Sequence, residues 1–136
     1  MTKHSSSILI PLRRLFDEVW NQQQLDVLED IVDPRCVINP GANEVRGVAG
    51  FKEMVRGFLE AFPDVQHHML DVVGEGTEAA VRWEGEGTHR GEFNGLPATG
   101  KQMRYWGITL FRVVNGRIIE AWVVADMAGL MKCLTE

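Results

Sequence analysis

A single change of hydrophobic period, at Pro63-Asp64, divides this chain into a helical half and a strand half. Before that point apolar residues recur every three or four positions, the spacing that puts them on one face of a helix. After it they alternate. Ala79, Val81 and Trp83 are interleaved with Glu78, Arg82 and Glu84, as in a strand with one buried face. In the first half Ile8, Leu9, Leu12, Leu15, Phe16 and Val19 predict a helix from about Ile8 to Trp20, with Pro11 tolerated in its first turn. Leu25, Leu28, Ile31 and Val32 form the face of a second, short helix that Asp33-Pro34 stops, because the residue before a proline is pushed out of helical angles. Cys36 to Asn39 reads as a short strand. Val48, Phe51, Val55, Phe58, Leu59 and Phe62 then set a third helix between Gly47 and Phe62, closed by Pro63.

The second half reads as strands near Val65 to Val73, Thr77 to His89, Gln102 to Val114 and Arg117 to Ala125, running antiparallel. Gly74-Glu75-Gly76 and Asn115-Gly116 supply tight hairpin turns, the second with the pair that suits a type I′ turn. A last helix follows from Met127 to Leu134, with Asp126 placed to cap it. Three N-terminal helices laid across a strongly bent antiparallel sheet make an α+β fold, a cone-shaped α+β barrel enclosing a pocket. With 136 residues the chain forms one domain, since two halves would each be too small to close a good core.

Both faces of the last strand look apolar: Ile118, Trp122 and Val124 lie on one, Ile119, Ala121, Val123 and Ala125 on the other. One small domain covers one face of its sheet with its own helices. The other is therefore expected to meet a second subunit, in a homodimer or larger homo-oligomer. The net charge of -5, from 14 Lys plus Arg against 19 Asp plus Glu, argues against a nucleic-acid partner. No apolar run reaches the roughly 18 residues of a membrane span, and Ile8-Leu9-Ile10 is too short for a signal peptide. Two cysteines far apart, Cys36 and Cys133, fit a reducing compartment, so a cytoplasmic location is expected.

The motifs are few. Gly74-Glu75-Gly76-Thr77-Glu78-Ala79 resembles a dinucleotide fingerprint on paper, but a strand follows it where phosphate binding needs a helix N-terminus. His67 and His68 are neighbours on a strand and point to opposite faces, so they do not share a metal, and no metal site is expected. His89 continues the face of Ala79, Val81 and Trp83. It is either a proton shuttle at the end of the hollow or a hydrogen-bonded histidine at a strand end. Asp126 is either a pocket acid or a helix cap, and Glu120 a salt-bridged or rim carboxylate. Tyr105 shares its strand face with Met103, Thr109 and Phe111, so its hydroxyl is a pocket donor or a satisfied core group. The tryptophans Trp20, Trp83, Trp106 and Trp122 serve packing as readily as ligand stacking.

Several ordered segments carry a family resemblance. Ala61-Phe62-Pro63-Asp64, Gly87-Thr88-His89-Arg90-Gly91, Gly95-Leu96-Pro97-Ala98-Thr99-Gly100-Lys101, and Gly116-Arg117-Ile118 running on to Trp122 and Asp126 resemble the SnoaL-like polyketide cyclases, or ester cyclases, from Leu15 onward. The resemblance implies the cone-shaped fold of the nuclear transport factor two superfamily. It also implies cofactor-free ring closure by aldol condensation, in which an acid-base residue takes a proton next to a carbonyl inside an apolar cavity. Where the family's terminal strand carries its acid-base aspartate this chain has Val123, and the partnering histidine falls at about Thr109. The family's strand-end histidine is kept as His89, and Asn39 supplies a polar residue after the second helix.

The expectation is therefore a cyclase or isomerase of an apolar polyketide-like or terpenoid substrate that works by general acid-base chemistry without a cofactor. His89, Asp126 and Tyr105 are the candidate catalytic residues, and Asn39, Phe58, Phe62, Trp83, Met103, Thr109 and Val123 the candidate substrate-binding ones. With valine in place of the aspartate, an epoxide opening, a hydroxylation or a double-bond shift fits better than the standard aldol closure. The alternative is a non-catalytic module of the same fold that captures a hydrophobic ligand or docks a protein.

Overall fold

The computed structural model describes residues 6–41 and 43–136. Helix α1 (Ser6–Arg14) runs straight into a π-helical segment, Leu15–Trp20, so the stretch predicted as one helix is continuous but widens at its end. A 3₁₀ turn, Leu25–Val27, leads into a one-turn α2 (Leu28–Ile31). The expected end of this helix is corrected by one residue. Val32 already has extended angles (φ -115, ψ 129) and opens strand β1 (Val32–Ile38), which starts earlier than Cys36 and contains Pro34. The proline is accommodated because the ladder to the neighbouring strand is interrupted between Val32 and Val37, so no hydrogen bond is required of it.

A two-residue strand β2 (Val45–Arg46) precedes helix α3 (Gly47–Ala61). Strands β3 (Gln66–Glu75), β4 (Glu78–Thr88), β5 (Gln102–Val114) and β6 (Arg117–Ala125) follow, and α4 (Met127–Thr135) ends the chain. They form one six-stranded sheet in the order β2-β1-β6-β5-β4-β3, curved and unclosed. Strands β3 to β6 are antiparallel as predicted. Strand β1 lies parallel to β6, so the sheet is mixed: the chain's first strand is placed beside its last, a pairing that local periodicity does not encode.

Two bulges bend the sheet. Leu70 is the extra residue on β3, between the Met69↔Trp83 and Asp71↔Arg82 pairs. Ile119 is the extra residue on β6, between Val113↔Ile118 and Arg112↔Glu120. A bulge sharpens local twist and bends the strand, and it also resets which face each residue takes. Ile118 is consequently buried with Ala121 on the concave face, while Trp122 and Val124 are exposed on the convex one at 44% and 69%. The expectation that Ile118 shares a face with Trp122 is corrected by this bulge.

Strand β5 alternates without a break. Met103, Tyr105, Gly107, Thr109, Phe111 and Val113 are buried, and the residues between them are exposed. Leu12, Leu15, Phe16 and Val19 from the first helical stretch and Phe51 and Val55 from α3 join that concave face in the core. None of the helices among the described residues is long and apolar enough to cross a membrane.

Candidate active site

The helices do not fill the bent sheet. Between them lies a cavity of about 340 Å³. Leu15, Phe16 and Trp20 form one wall, Phe51, Met54 and Phe58 of α3 another, and the concave sheet residues Ile38, His67, Trp83, Tyr105, Thr109, Phe111, Ala121, Val123 and Ala125 the third. Asn39, Phe93 and Met127 complete the lining. It contains no Lys, Arg, Asp or Glu, so a charged guest would be buried without a partner, at a cost of several kcal/mol in order of magnitude.

Polar capacity in this wall comes from three small groupings. His67 Nε2 and the Tyr105 hydroxyl are 2.6 Å apart. Both side chains are buried, and His67 Nδ1 has no partner among the described residues. Burial pushes the His67 imidazolium down to about 3 and pushes the Tyr105 phenol up, because each environment disfavours the charged form. At neutral pH the pair is therefore a neutral imidazole bonded to a neutral phenol. In the second grouping the Trp83 indole N–H donates to Thr109 Oγ1 at 3.0 Å. In the third, Asn39 sits in the left-handed region (φ 51), where asparagine is tolerated. Its backbone N–H donates to the Ala121 carbonyl at 2.8 Å, and its Oδ1 accepts from the Val123 N–H at 2.8 Å. The carboxamide oxygen is thus engaged, and the Nδ2 hydrogens are the group's remaining donors.

Of the residues singled out from the sequence, Asn39, Phe58, Trp83, Tyr105, Thr109 and Val123 line this cavity. Phe62 and Met103 are buried but outside the lining; Phe62 packs on Phe58, Phe93 and His89. Asp126 also lies outside the lining and caps α4, accepting the Gly129 N–H at 2.9 Å. Glu120 is on the convex face, 3.5 Å from Arg112.

His89 is fully buried but not in the cavity wall. Its Nδ1 accepts the Thr99 backbone N–H at 3.2 Å and lies 2.9 Å from the Thr99 hydroxyl. An Nδ1 that accepts leaves the proton on Nε2 in the neutral ring. The loop from His89 to Lys101 is tied down further where the Arg90 and Gly91 N–H groups donate to the Ala61 carbonyl. That loop delivers Phe93 to the cavity, edge-on to Phe58.

His67 is the functional candidate that the sequence reading passed over. It shares parity with Val65 and Met69 on a strand whose other face carries the exposed His68, and that parity was the available signal. No group of three or more His, Cys, Asp or Glu gathers to hold a metal among the described residues.

The SnoaL-like polyketide cyclase model matches residues 10–134. The chain belongs to this family. The SnoaL-like chain is 28% identical over 135 residues to aklanonic acid methyl ester cyclase DnrD of Streptomyces peucetius, covering 96% of this chain and 92% of that one. Its fold superimposes with a TM-score of 0.84 on AclR, a candidate hydroxylase from Streptomyces galilaeus, at 27% identity over 96% of this chain and 97% of that chain. It also matches a candidate SnoaL-like polyketide cyclase from Jannaschia Sp. CCS1 with a TM-score of 0.88 at 23% identity, over 99% and 98% of the two chains. This last likeness concerns the fold alone.

Proposed function

We propose that this SnoaL-like protein is a cyclase or isomerase that moves a proton next to a carbonyl of a neutral, apolar polyketide-like substrate, and that His67 and Tyr105 carry the step. The observation behind this reading is the 2.6 Å His67–Tyr105 bond in the wall of an apolar cavity, with the second imidazole nitrogen unpartnered. In one tautomer Nε2–H donates to the Tyr105 oxygen and the buried, unpartnered Nδ1 keeps a lone pair for a substrate C–H that reaches it by displacing the side chains over it. In the other Tyr105 donates to Nε2 and Nδ1–H faces a substrate oxygen. Deprotonation on the first arrangement gives an enolate, which either takes a proton back at another carbon, as a double-bond shift, or closes on a second carbonyl, the aldol closure that Val123 argues against and that a base at His67 reopens. The imidazolium returns its proton in both, so the formula is unchanged. The burial that depresses the imidazolium makes the proton abstraction uphill and the return downhill, so the enolate is short-lived. No oxidant or reductant enters the sequence.

Val123 and Thr109, standing where the resemblance puts the family's acid-base pair, cannot take a proton in this range. The His67 imidazole and the Tyr105 phenol are the titratable groups left in the lining, and Asn39 is the orienting donor. In this reading His89 and Asp126 hold a loop and a helix end. Because the lining has no cation, the substrate is an ester and not a free acid. Incubation with aklanonic acid methyl ester, named for the relative DnrD, tests it. An isomer of unchanged mass is expected by chromatography and mass spectrometry, formed about 10²-fold more slowly by Tyr105→Phe. Tight binding of that ester without turnover would support capture instead, the reading favoured by the valine at position 123.

We also propose that the convex face meets a second copy of the chain. Trp106, Ile108, Leu110, Trp122 and Val124 are exposed there on two adjacent strands, an apolar patch that a two-fold axis covers with itself. Light scattering is expected to give twice the chain mass, and Trp122→Lys half of it. A monomeric parent protein at micromolar concentration would remove the proposal. The unbridged Cys36 and Cys133 support a cytoplasmic location.

A further inference from the structure

His67 and Tyr105 do not sit on neighbouring strands. His67 is on β3 and Tyr105 on β5, and the residue paired with both, between them on β4, is Gly85. Strands two apart in a sheet are separated by about 10 Å, so the two rings reach each other only by leaning over the middle strand. A methyl group at position 85 would stand 2.5 Å from Tyr105 Cε1, 2.8 Å from His67 Cδ2 and 2.9 Å from His67 Nε2. Each of these lies below the closest approach real Cβ atoms make, and the atoms met are the two bonded rings themselves. Neighbouring rings brace both on their flanks, His67 against Trp20 at 4.4 Å and Trp83 at 5.3 Å, and Tyr105 against Trp83 at 5.2 Å and Phe58 at 5.8 Å, so relief comes only by swinging into the cavity and breaking their bond.

The next row of the sheet repeats the device. Gly107 pairs with Trp83, a Cβ there would overlap the indole ring, and the indole lies across that gap to reach Thr109. Neither glycine has a positive φ, so both are required by space and not by backbone conformation.

We propose that Gly85 is a positioning residue: it opens the side-chain-free slot over β4 in which His67 and Tyr105 bond, and so sets the polar end of the cavity. The inference rests on the His67–Tyr105 reading above for its catalytic consequence, but its geometry stands apart from any reaction. Tyr105 is the only tyrosine of the chain, so the protected proton in its bond to His67 is a single signal in proton NMR, the phenolic proton in one tautomer and the imidazole Nε2 proton in the other.

The test is Gly85→Ala, read first by that proton and by the ¹⁵N shifts of the His67 ring. Loss of the protected proton with a change of the ring nitrogens is expected, and unchanged signals would overturn the proposal. On the ester substrate, Gly85→Ala is expected to lower kcat about 10²-fold with KM nearly unchanged. Adding it to Tyr105→Phe should change little more, whereas losses that multiply would overturn the coupling. If Gly85→Ala fails to fold, the Gly85→Ala/His67→Ala double variant should recover the fold, because Tyr105 can move into the space the imidazole leaves. A double variant that stays unfolded counts against the slot. A parent protein that turns over no ester, yet loses the protected proton in Gly85→Ala, would defeat the proposed function and leave this inference standing.

Discussion

Two buried histidines near the same end of the β3–β4 ladder meet opposite fates. His67 and His89 are each bonded through one ring nitrogen and unpartnered at the other. The partner of His67 is a phenol in a cavity wall, so its bond can change while the fold stays put. The partner of His89 is the Thr99 backbone and hydroxyl, and its ring packs on Phe62, so its bond closes a loop. Burial and an orphan nitrogen therefore do not mark a chemical site by themselves. What distinguishes the two is whether empty space and a second proton-bearing group stand beside the ring.

The sharpest way to break this contrast is to remove each imidazole in turn. His67→Ala is expected to cut turnover of the ester by 10² or more, on the order of general acid-base contributions, while His89→Ala keeps kcat within about threefold. The reverse result, read from steady-state kinetics, would return the chemistry to the strand-end histidine that the family resemblance favours.

Acid stability gives the next largest separation. The folded protein holds His67 neutral down to about pH 3, whereas the unfolded chain takes up its proton near 6.5. Between those values the unfolded state binds more protons, so stability falls as pH falls, by up to about 1.4 kcal/mol per pH unit from this group. Denaturant titrations across that window should show the slope in the parent protein and a flatter one in His67→Gln; parallel slopes would mean the imidazole is charged in the fold.

His89→Ala should cost about 2 kcal/mol at neutral pH through lost packing and the lost Thr99 bond, and protease should cut the 89–101 loop faster. A smaller effect, about 1 kcal/mol, is expected for Thr109→Val, which leaves the Trp83 indole N–H without its acceptor. Unchanged indole exchange in that variant would show that the bond contributes little.

Much of the fold could be read along the chain because its signals are local. The period change at Pro63 separated helices from strands, Asn115-Gly116 turned β5 into β6, and Asp126 announced the start of α4. The errors cluster where pairing is non-local. Strand β1 has too few residues of clear period to reveal that it docks parallel to β6, and one bulge at Ile119 moved Ile118 to the other face from Trp122. For the site, Tyr105, Trp83, Asn39, Thr109 and Val123 were legible because a continuous alternation or the family motifs carried them. His67 was not singled out: its parity with Val65 and Met69 pointed it inward, but parity does not say that the inner face is hollow there.

By itself, then, the sequence determined the order and kind of the elements, the apolar and uncharged character of the concave face, and the family to which the segments belong. These are properties of spacing and side-chain type, which one strand or one helix expresses without reference to any other. The tertiary structure alone decided which polar groups meet. A bond between residues 38 positions apart, made over the top of a third strand, depends on register and on the absent side chain of Gly85. The spacing within one strand says nothing of its register on the next, and only the assembly of all three brings an imidazole and a phenol within 2.6 Å beside an open cavity.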